Sequence, residues 1–283
     1  MFTTIRLQLA LSCENDWEVE GMEVKTTFLN SECQDTVYME VPEGVLVPTQ
    51  SRRLDYGPPL ACHSLKSIYR LKQSQRTLYC RKHTFFLANN ILRSELDHSL
   101  FINYFKRVIL LLYMDDLVLT APAPQLIAWI KQKLHEEFER THLGELRTFL
   151  RLEIKRDYHN RTLHLSQTKY ITNILVVHGM SFCNPSLTPA DPDVRLEKSR
   201  PEFTTPQFEK QKYQYMVEPL IYAMLGTRSD LAYAVSQVNQ HSTNPNPAHW
   251  TSVKRIFQYL AGTTHLRFWF GKQGDGAGFT DGE

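Results

Sequence analysis

The chain has 283 residues, of which 42% are hydrophobic and 22% charged, and its 32 basic and 30 acidic residues leave a net charge of +2. This composition predicts a globular protein of about two structural units and excludes disordered, collagen-like and coiled-coil chains. The longest apolar run, residues 108–114, is far shorter than the roughly 20 residues of a membrane-spanning helix. No secretory signal is recognised at the start of the sequence. Five scattered cysteines without a CxxC pair favour a reducing compartment.

The first predicted element is a helix over residues 5–11, capped by Thr3 and Thr4. Two short strands are predicted next, at Val19–Val24 and Thr36–Val41. Several prolines indicate a loop over residues 42–60, and residues 73–90 are predicted to form a helix that carries basic side chains.

Charge is distributed unevenly over this part of the chain. Residues 1–50 contain nine acidic and two basic residues, whereas residues 56–94 contain no acid at all. Such a contrast predicts a surface that faces a polyanion, although a run of charge on an ordinary solvated face is the alternative. The basic residues of the acid-free segment are Lys66, Arg70, Lys72, Arg76, Arg81, Lys82 and Arg93.

Strands are predicted at residues 100–104, 108–113 and 117–120, and the second of them is apolar at every position from 108 to 112, as in a strand covered on both faces. A helix is predicted to begin at Pro124 and to end at Gly144, with apolar residues three or four positions apart. Residues 146–155 and 162–165 are predicted to form a hairpin.

Residues 184–210 contain five prolines and many charges, which predicts a linker between two units. A helical block follows. In its last helix Asn246 is expected to be the N-cap, Pro247 the first residue and Gly262 the end. His249 is expected to pack against or cap this helix rather than bind a metal ion.

The motif with the clearest chemistry is Tyr113-Met114-Asp115-Asp116, which lies between two apolar strands. A link this short predicts a tight hairpin with both acids near its tip. Adjacent carboxylates at the end of a buried strand are costly unless a cation binds them, and hard oxygen ligands favour Mg²⁺ or Mn²⁺. The alternative is a solvent-exposed turn, in which aspartate is common.

Six further segments accompany this motif. They are residues 22–30 (MEVKTTFLN), 37–44 (VYMEVPEG), 65–76 (LKSIYRLKQSQR), 143–146 with 149–154 (LGEL, FLRLEI), 165–171 (LSQTKYI) and 227–235 with 249–250 (TRSDLAYAV, HW). In this order, and over nearly the whole chain, they resemble the reverse transcriptase of copia-type retrotransposons.

The resemblance implies an α+β fold, with a right-hand polymerase palm built on an antiparallel sheet, a thumb and a C-terminal helical connection. The palm with partial fingers would cover residues 1–160, the thumb and a linker 161–200, the connection 201–270, and the truncated start of an RNase H domain 271–283. Segments near 19–24, 99–113 and 117–120 should share one sheet, which would place Glu23 close to the two aspartates.

Roles for individual residues also follow from the resemblance. Glu23, Asp115 and Asp116 would be the catalytic acids, and with the backbone carbonyl of Val24 they would bind two Mg²⁺ or Mn²⁺ ions. Phe28 would exclude a ribose 2′-hydroxyl, and Gln73 would lie near the incoming nucleotide and the template. Phosphates of nucleic acid would be bound by Lys66, Lys72, Arg76, Arg81 and Lys82.

The implied partners are an RNA or DNA template with its primer, deoxynucleoside triphosphates, and the other segments of a Pol polyprotein such as integrase and RNase H. No membrane partner is expected. By the same resemblance the chain would work inside the cell, in a cytoplasmic particle or in the nucleus.

The chain departs from the family pattern at several positions. Residue 23 is glutamate where the family has aspartate, and the extra methylene moves the carboxylate by about 1 Å, a misplacement that can cost about a hundredfold in rate. Turn glycines of the family are replaced here, each at a cost of about 1–2 kcal/mol where a positive φ is needed. The replaced positions are Ser31, Arg70, Arg151 and Glu218 for glycine, Gln75 for proline and Leu78 for tryptophan.

Two hypotheses of different classes follow. The first is an RNA-directed DNA polymerase domain of impaired activity, because its basic fingers segment would lie upstream of residue 1 and because residue 23 is glutamate. The RNase H domain, whose first acid would be Asp281, would not be complete. The second is a degenerate, non-catalytic remnant that retains nucleic-acid binding at most. A metal nuclease with the same acids is a weaker alternative, since no positioned general base accompanies them.

Overall fold

The computed structural model of the chain describes residues 2–24, 36–45, 61–66, 74–138, 140–200 and 202–271. The chain forms two compact units, which are described separately below. The central unit comprises residues 18–145, and the flanking unit comprises residues 1–17 together with 146–283. The predicted assignment of residue ranges to palm, thumb and connection stays a prediction.

Helices and strands alternate irregularly along the described residues. The helices are α1 (Phe2–Asn15), α2 (Ser74–Ala88), α3 (Pro124–Glu137), α4 (Thr168–Val177), α5 (Gln207–Gly226), α6 (Ala232–Asn239) and α7 (Pro247–Gly262). The strands are β1 (Glu18–Val24), β2 (Tyr38–Glu40), β3 (Ala61–His63), β4 (Leu92–Arg93), β5 (Leu100–Asn103), β6 (Val108–Tyr113), β7 (Asp116–Ala121), β8 (Arg140–Glu145), β9 (Thr148–Phe149), β10 (Leu152–Asp157), β11 (Thr162–Ser166) and β12 (Phe268–Gly271).

The central unit is built on a six-stranded sheet in the order β4-β5-β6-β7-β1-β8, and all neighbouring strands are antiparallel. The predicted α+β class and the predicted single sheet for segments near 19–24, 99–113 and 117–120 are therefore confirmed. Side chains of α2 and α3, among them Phe86 and Ile130, form one core with alternate residues of β6 and β7. Leu111 and Val118, which alternate to the opposite face, are fully buried as well, so β6 is covered on both faces as predicted.

Helix α3 does not extend to Gly144, so that prediction was wrong. The helix ends at Glu137, and Phe138 already has extended backbone with φ −130° and ψ 139°. Residues 140–145 instead form β8, which pairs with β1 across a bulge at Gly21 and Met22. The pairing supplies hydrogen-bond partners for the outer edge of β1, whose backbone groups would otherwise lack them.

In the flanking unit four antiparallel strands follow the order β12-β11-β10-β9. The predicted hairpin is present as β10 and β11, whereas β12 was not predicted, because it pairs with β11 from more than a hundred residues away in sequence. Helices α4 to α7 form a second core around Tyr213, Leu231 and Phe257, each of which is fully buried.

The replaced turn glycines have different outcomes in the structure. Leu150 and Arg151 join β9 to β10 with φ of 49° and 57°, a left-handed conformation that glycine adopts without strain. Glu218 lies inside α5, so its expected turn was wrong: a helix needs no positive φ there. Ser31 and Arg70 lie outside the described residues.

Boundaries elsewhere differ by a few residues. Helix α1 begins at Phe2, so Thr3 and Thr4 lie inside its first turn and are not its N-cap. The prediction that residues 184–210 link two units was wrong, because the segment lies within the flanking unit. It is helical from Gln207 onward, and its earlier part is tied to α7, for example by the ion pair of Arg255 with Asp191 at 3.1 Å. The helix cap at Asn246 is as predicted, and His249 completes a capping box.

None of the helices in the described part of the chain is long and apolar enough to cross a membrane. The four cysteines within the described ranges, Cys13, Cys62, Cys80 and Cys183, are free.

Candidate active site

The two aspartates lie at the turn between β6 and β7. Tyr113 pairs with Asp116, so Met114 and Asp115 form a two-residue link and Asp116 is already the first residue of β7. Met114 takes the left-handed conformation that such tight hairpins require, with φ 51°. The sequence therefore located the tip correctly, and the structure divides the two acids between the turn and the strand.

Glu23 reaches the same end of the sheet through strand pairing. Strand β1 runs antiparallel to β7, and in this register Glu23 is directly opposite Asp116, although the two residues are more than 90 positions apart in sequence. Side chains of residues opposite each other in a sheet lie on the same face, about 5 Å apart at Cβ. The expected proximity of Glu23 to the aspartates is thus present, and Val24 follows it as the last residue of β1.

The surroundings of Asp116 at this sheet end disfavour its negative charge. Burial first, and then the charges of Glu23 and Asp115, raise the pKa of Asp116 above its usual range. The ammonium of Lys82 acts in the opposite direction on the same carboxyl. A bound cation would relieve the repulsion between like charges that are held together in this way.

Lys82 comes from α2 and was expected to contact phosphate on an exposed basic surface. Its side chain is instead 2% exposed, and its Nζ donates a hydrogen bond to the carbonyl oxygen of Met114 at 2.5 Å. Burial lowers the pKa of Lys82 to about 8, and the charges of Asp115 and Asp116 oppose that change. The helical period gives the reason, because Lys82 lies one turn before Phe86, which belongs to the core.

Lys82 is the residue of this site that sequence reasoning placed wrongly. The signal was present in its spacing: residues four apart share a helix face, and Phe86 marks the buried one. The run of basic residues in segment 56–94 concealed that signal, because such a run predicts one charged surface.

Donor chemistry at the hairpin fits a divalent cation. Carboxylate oxygens are the ligands that Mg²⁺ and Mn²⁺ prefer, and Oδ1 of Asp115 is a buried acceptor without a hydrogen-bond partner in the described part of the chain. Within those residues, however, no three His, Cys, Asp or Glu side chains are grouped closely enough to hold an ion. Glu23, Asp115 and Asp116 are neighbours at this sheet end, but they do not form such a group.

The other predicted site residues fall into two groups. Phe28, Lys72 and Gln73 lie outside the described residues. Lys66 and Arg76 are exposed, whereas Arg81 pairs with Glu137 at 2.9 Å and lies over the ring of Phe138. The basic segment is therefore not one continuous exposed surface.

Comparison with known proteins adds a family match. Residues 1–192 match the family described as reverse transcriptase (RNA-dependent DNA polymerase). Over 271 residues, 93% of this chain and 20% of the relative, the sequence is 36% identical to the retrovirus-related Pol polyprotein from transposon TNT 1-94 of Nicotiana tabacum.

Two relatives from Arabidopsis thaliana show the same relation. The retrovirus-related Pol polyproteins from transposons RE2 and RE1 are each 32% identical over 92% of this chain and 17% of their own length. The chain thus spans no more than a fifth of the length of these relatives.

Proposed function

This chain belongs to the reverse transcriptase (RNA-dependent DNA polymerase) family of copia-type transposon Pol polyproteins, and we propose that it carries the nucleotidyl-transfer site of such a polymerase in an impaired form. The observation that carries the proposal is the register of β1 on β7, which sets Glu23 opposite Asp116 and beside the Asp115 turn. Carboxylates from two distant parts of the sequence therefore lie at one sheet end, where they could serve as ligands of the two ions used in metal-dependent phosphoryl transfer.

In this proposal Asp115 and Asp116 hold the metal ions, and Glu23 with the backbone carbonyl of Val24 completes the ligands. Two bound divalent ions would stabilise negative charge on the attacking and the leaving oxygen. The carboxylates would supply the negative charge that binds the ions, and burial together with the charges of Glu23 and Asp115 already raises the pKa of Asp116. Phe28 would select deoxynucleotides, and Gln73 would lie near the nucleotide and the template.

The segments around the site fit the same proposal. Residues 1–160 would be the palm with partial fingers, 161–200 the thumb and linker, 201–270 the connection, and 271–283 the start of RNase H. Exposed Lys66 and Arg76, together with Lys72, would contact phosphates of the template and primer, and Arg81 would do so only if it leaves Glu137. Integrase and RNase H segments of the same polyprotein would be its partners.

Impairment follows from the side chain at position 23. Glutamate preserves the charge but is longer by one methylene, and Mg²⁺ tolerates a displaced ligand poorly because it demands near-ideal octahedral geometry. A displacement of about 1 Å can lower a rate about a hundredfold. Mn²⁺ generally binds such oxygen ligands more tightly, so it is expected to recover part of the activity.

The alternative is a non-catalytic remnant that retains nucleic-acid binding. One observation favours it: the carboxylates are close together, yet within the described residues no three potential ligands are grouped to hold an ion.

Primer extension on the purified chain tests the proposal, with Mg²⁺ or Mn²⁺ and an oligonucleotide template and primer. Glu23→Asp should raise the rate with Mg²⁺ by ten- to a hundredfold, and Asp115→Asn should abolish extension with either ion. Glu18→Asp is the matched control, because it makes the same change at the opposite end of β1. Its rate should equal that of the wild type.

The outcomes separate the two functions. If Asp115→Asn still extends the primer, these carboxylates are not required for the reaction. No extension by any variant with either ion, combined with salt-sensitive binding of the duplex, would establish the remnant instead.

A further inference from the structure

A buried ammonium lies at the carboxylate cluster. Lys82 is 2% exposed, and lysine is almost never buried to that degree unless it is paired. Its hydrogen bond to the Met114 carbonyl fixes the ammonium at the turn that carries Asp115. The charges of Asp115 and Asp116 favour the protonated form of this lysine.

We propose that the Lys82 ammonium acts as a built-in competitor of the divalent cation at the Asp115–Asp116 hairpin. This inference rests on the proposed metal site described above. An ammonium and a divalent ion near the same two carboxylates repel each other, and burial weakens the screening of that repulsion by water. Metal entry therefore requires Lys82 to leave its place or to remain at an energetic cost.

The hydrogen bonds at the hairpin indicate two alternative arrangements of charge. In the present arrangement Lys82 satisfies the carbonyl of Met114, whereas Oδ1 of Asp115, as far as the structure describes its surroundings, has no partner. A metal ion would satisfy the carboxylate oxygen instead. The lysine thus leaves a carboxylate oxygen of the cluster without a partner, which keeps the second arrangement accessible.

The competition predicts weak metal affinity in the wild type that increases when the ammonium is removed. Methionine is the suitable replacement, because it is unbranched and flexible enough to fill the same buried space without charge. Lys133→Met is the matched control, since Lys133 is a partly exposed lysine of α3 that pairs with Glu136.

Binding of Mn²⁺ is measured by the loss of the free-ion signal in electron paramagnetic resonance, without substrate, for the wild type, Lys82→Met, Lys133→Met and Asp115→Asn. The double variant Lys82→Met with Asp115→Asn is included. Lys82→Met should bind Mn²⁺ at least tenfold more tightly than the wild type, and Lys133→Met should match the wild type. In the double variant, Asp115→Asn should abolish the gain in affinity that Lys82→Met produces.

A second measurement needs no variant. Reductive methylation of wild-type lysines, followed by peptide mass spectrometry, should modify Lys82 slowly, and saturating Mn²⁺ should accelerate that modification while Lys133 is unaffected. This measurement decides the question if Lys82→Met fails to fold, as judged by circular dichroism.

The failures of the two proposals look different. Equal Mn²⁺ affinity of the wild type and Lys82→Met, including no binding by either, overturns the competition. So does modification of Lys82 that is indifferent to Mn²⁺. Tight binding to Lys82→Met that persists in the double variant places the metal elsewhere, and it overturns the proposed carboxylate site as well.

Discussion

Replacing Lys82 by methionine is expected to stabilise the protein at neutral pH in the absence of divalent ions. Burial lowers the pKa of Lys82 from its usual 10.5 to about 8. Because one pKa unit corresponds to about 1.4 kcal/mol, the charged lysine costs the folded state about 3 kcal/mol. Loss of its hydrogen bond to Met114 offsets about 1 kcal/mol, so the variant should gain about 2 kcal/mol.

The gain should depend on pH with a defined sign. Since the pKa of Lys82 is lower in the folded than in the unfolded state, the unfolded chain binds more protons between pH 8 and 10.5, and wild-type stability contributed by this residue rises across that window. The destabilisation is complete below pH 8 and has disappeared above pH 10.5. Lys82→Met should therefore exceed the wild type most at pH 7 and least at alkaline pH.

Urea unfolding followed by circular dichroism, in buffer with a chelator, measures the difference. Lys133→Met serves as the control, because an exposed ion pair such as Lys133–Glu136 contributes little to stability. A Lys82→Met protein that is less stable than the wild type at pH 7 would refute the reasoning, since ion pairing would then outweigh desolvation. A gain that is equal at pH 7 and pH 10 would also refute it, because apolar packing alone would explain such a result.

Three further predictions concern other parts of the chain. Arg151→Gly should raise the free energy of unfolding by about 0.5–1 kcal/mol, since glycine adopts its φ of 57° without strain; an unchanged urea midpoint would contradict this. His249 accepts a hydrogen bond at Nδ1 from the backbone N–H of Asn246, and burial lowers its pKa, so thermal stability should fall as pH drops below about 6.5 and should fall less steeply in His249→Gln. Arg76→Ala should weaken binding of labelled duplexes by the same factor for different sequences and reduce the salt dependence, and an unchanged affinity would identify the basic run as a solvated face.

Local sequence was enough to predict the hairpin and its neighbours. Residues 108–112 are apolar at every position, and the two acids follow within a few residues, so a buried strand and a charged turn are both encoded within a short segment. The cap of α7 is equally local, because Asn246 and His249 lie within one turn of each other.

Pairings between distant segments could not be predicted in the same way. Strand β12 pairs with β11 although about a hundred residues separate them. Residues 140–145, which were predicted to be the end of a helix, form β8 and pair with the outer edge of β1. Neither pairing can be read from a local pattern, because which backbone N–H and C=O groups at a strand edge need a partner depends on how the sheet is assembled.

The candidate site shows the same division. By itself the sequence determined that Asp115 and Asp116 follow a buried strand, and its likeness to a family indicated Glu23 as their partner. Tertiary structure alone decided the register that sets Glu23 opposite Asp116 and the burial that turns Lys82 from a surface charge into a neighbour of both aspartates. The physical reason is that a residue's charge is fixed by its own chemistry, whereas its solvation and its neighbours are fixed by the elements packed around it.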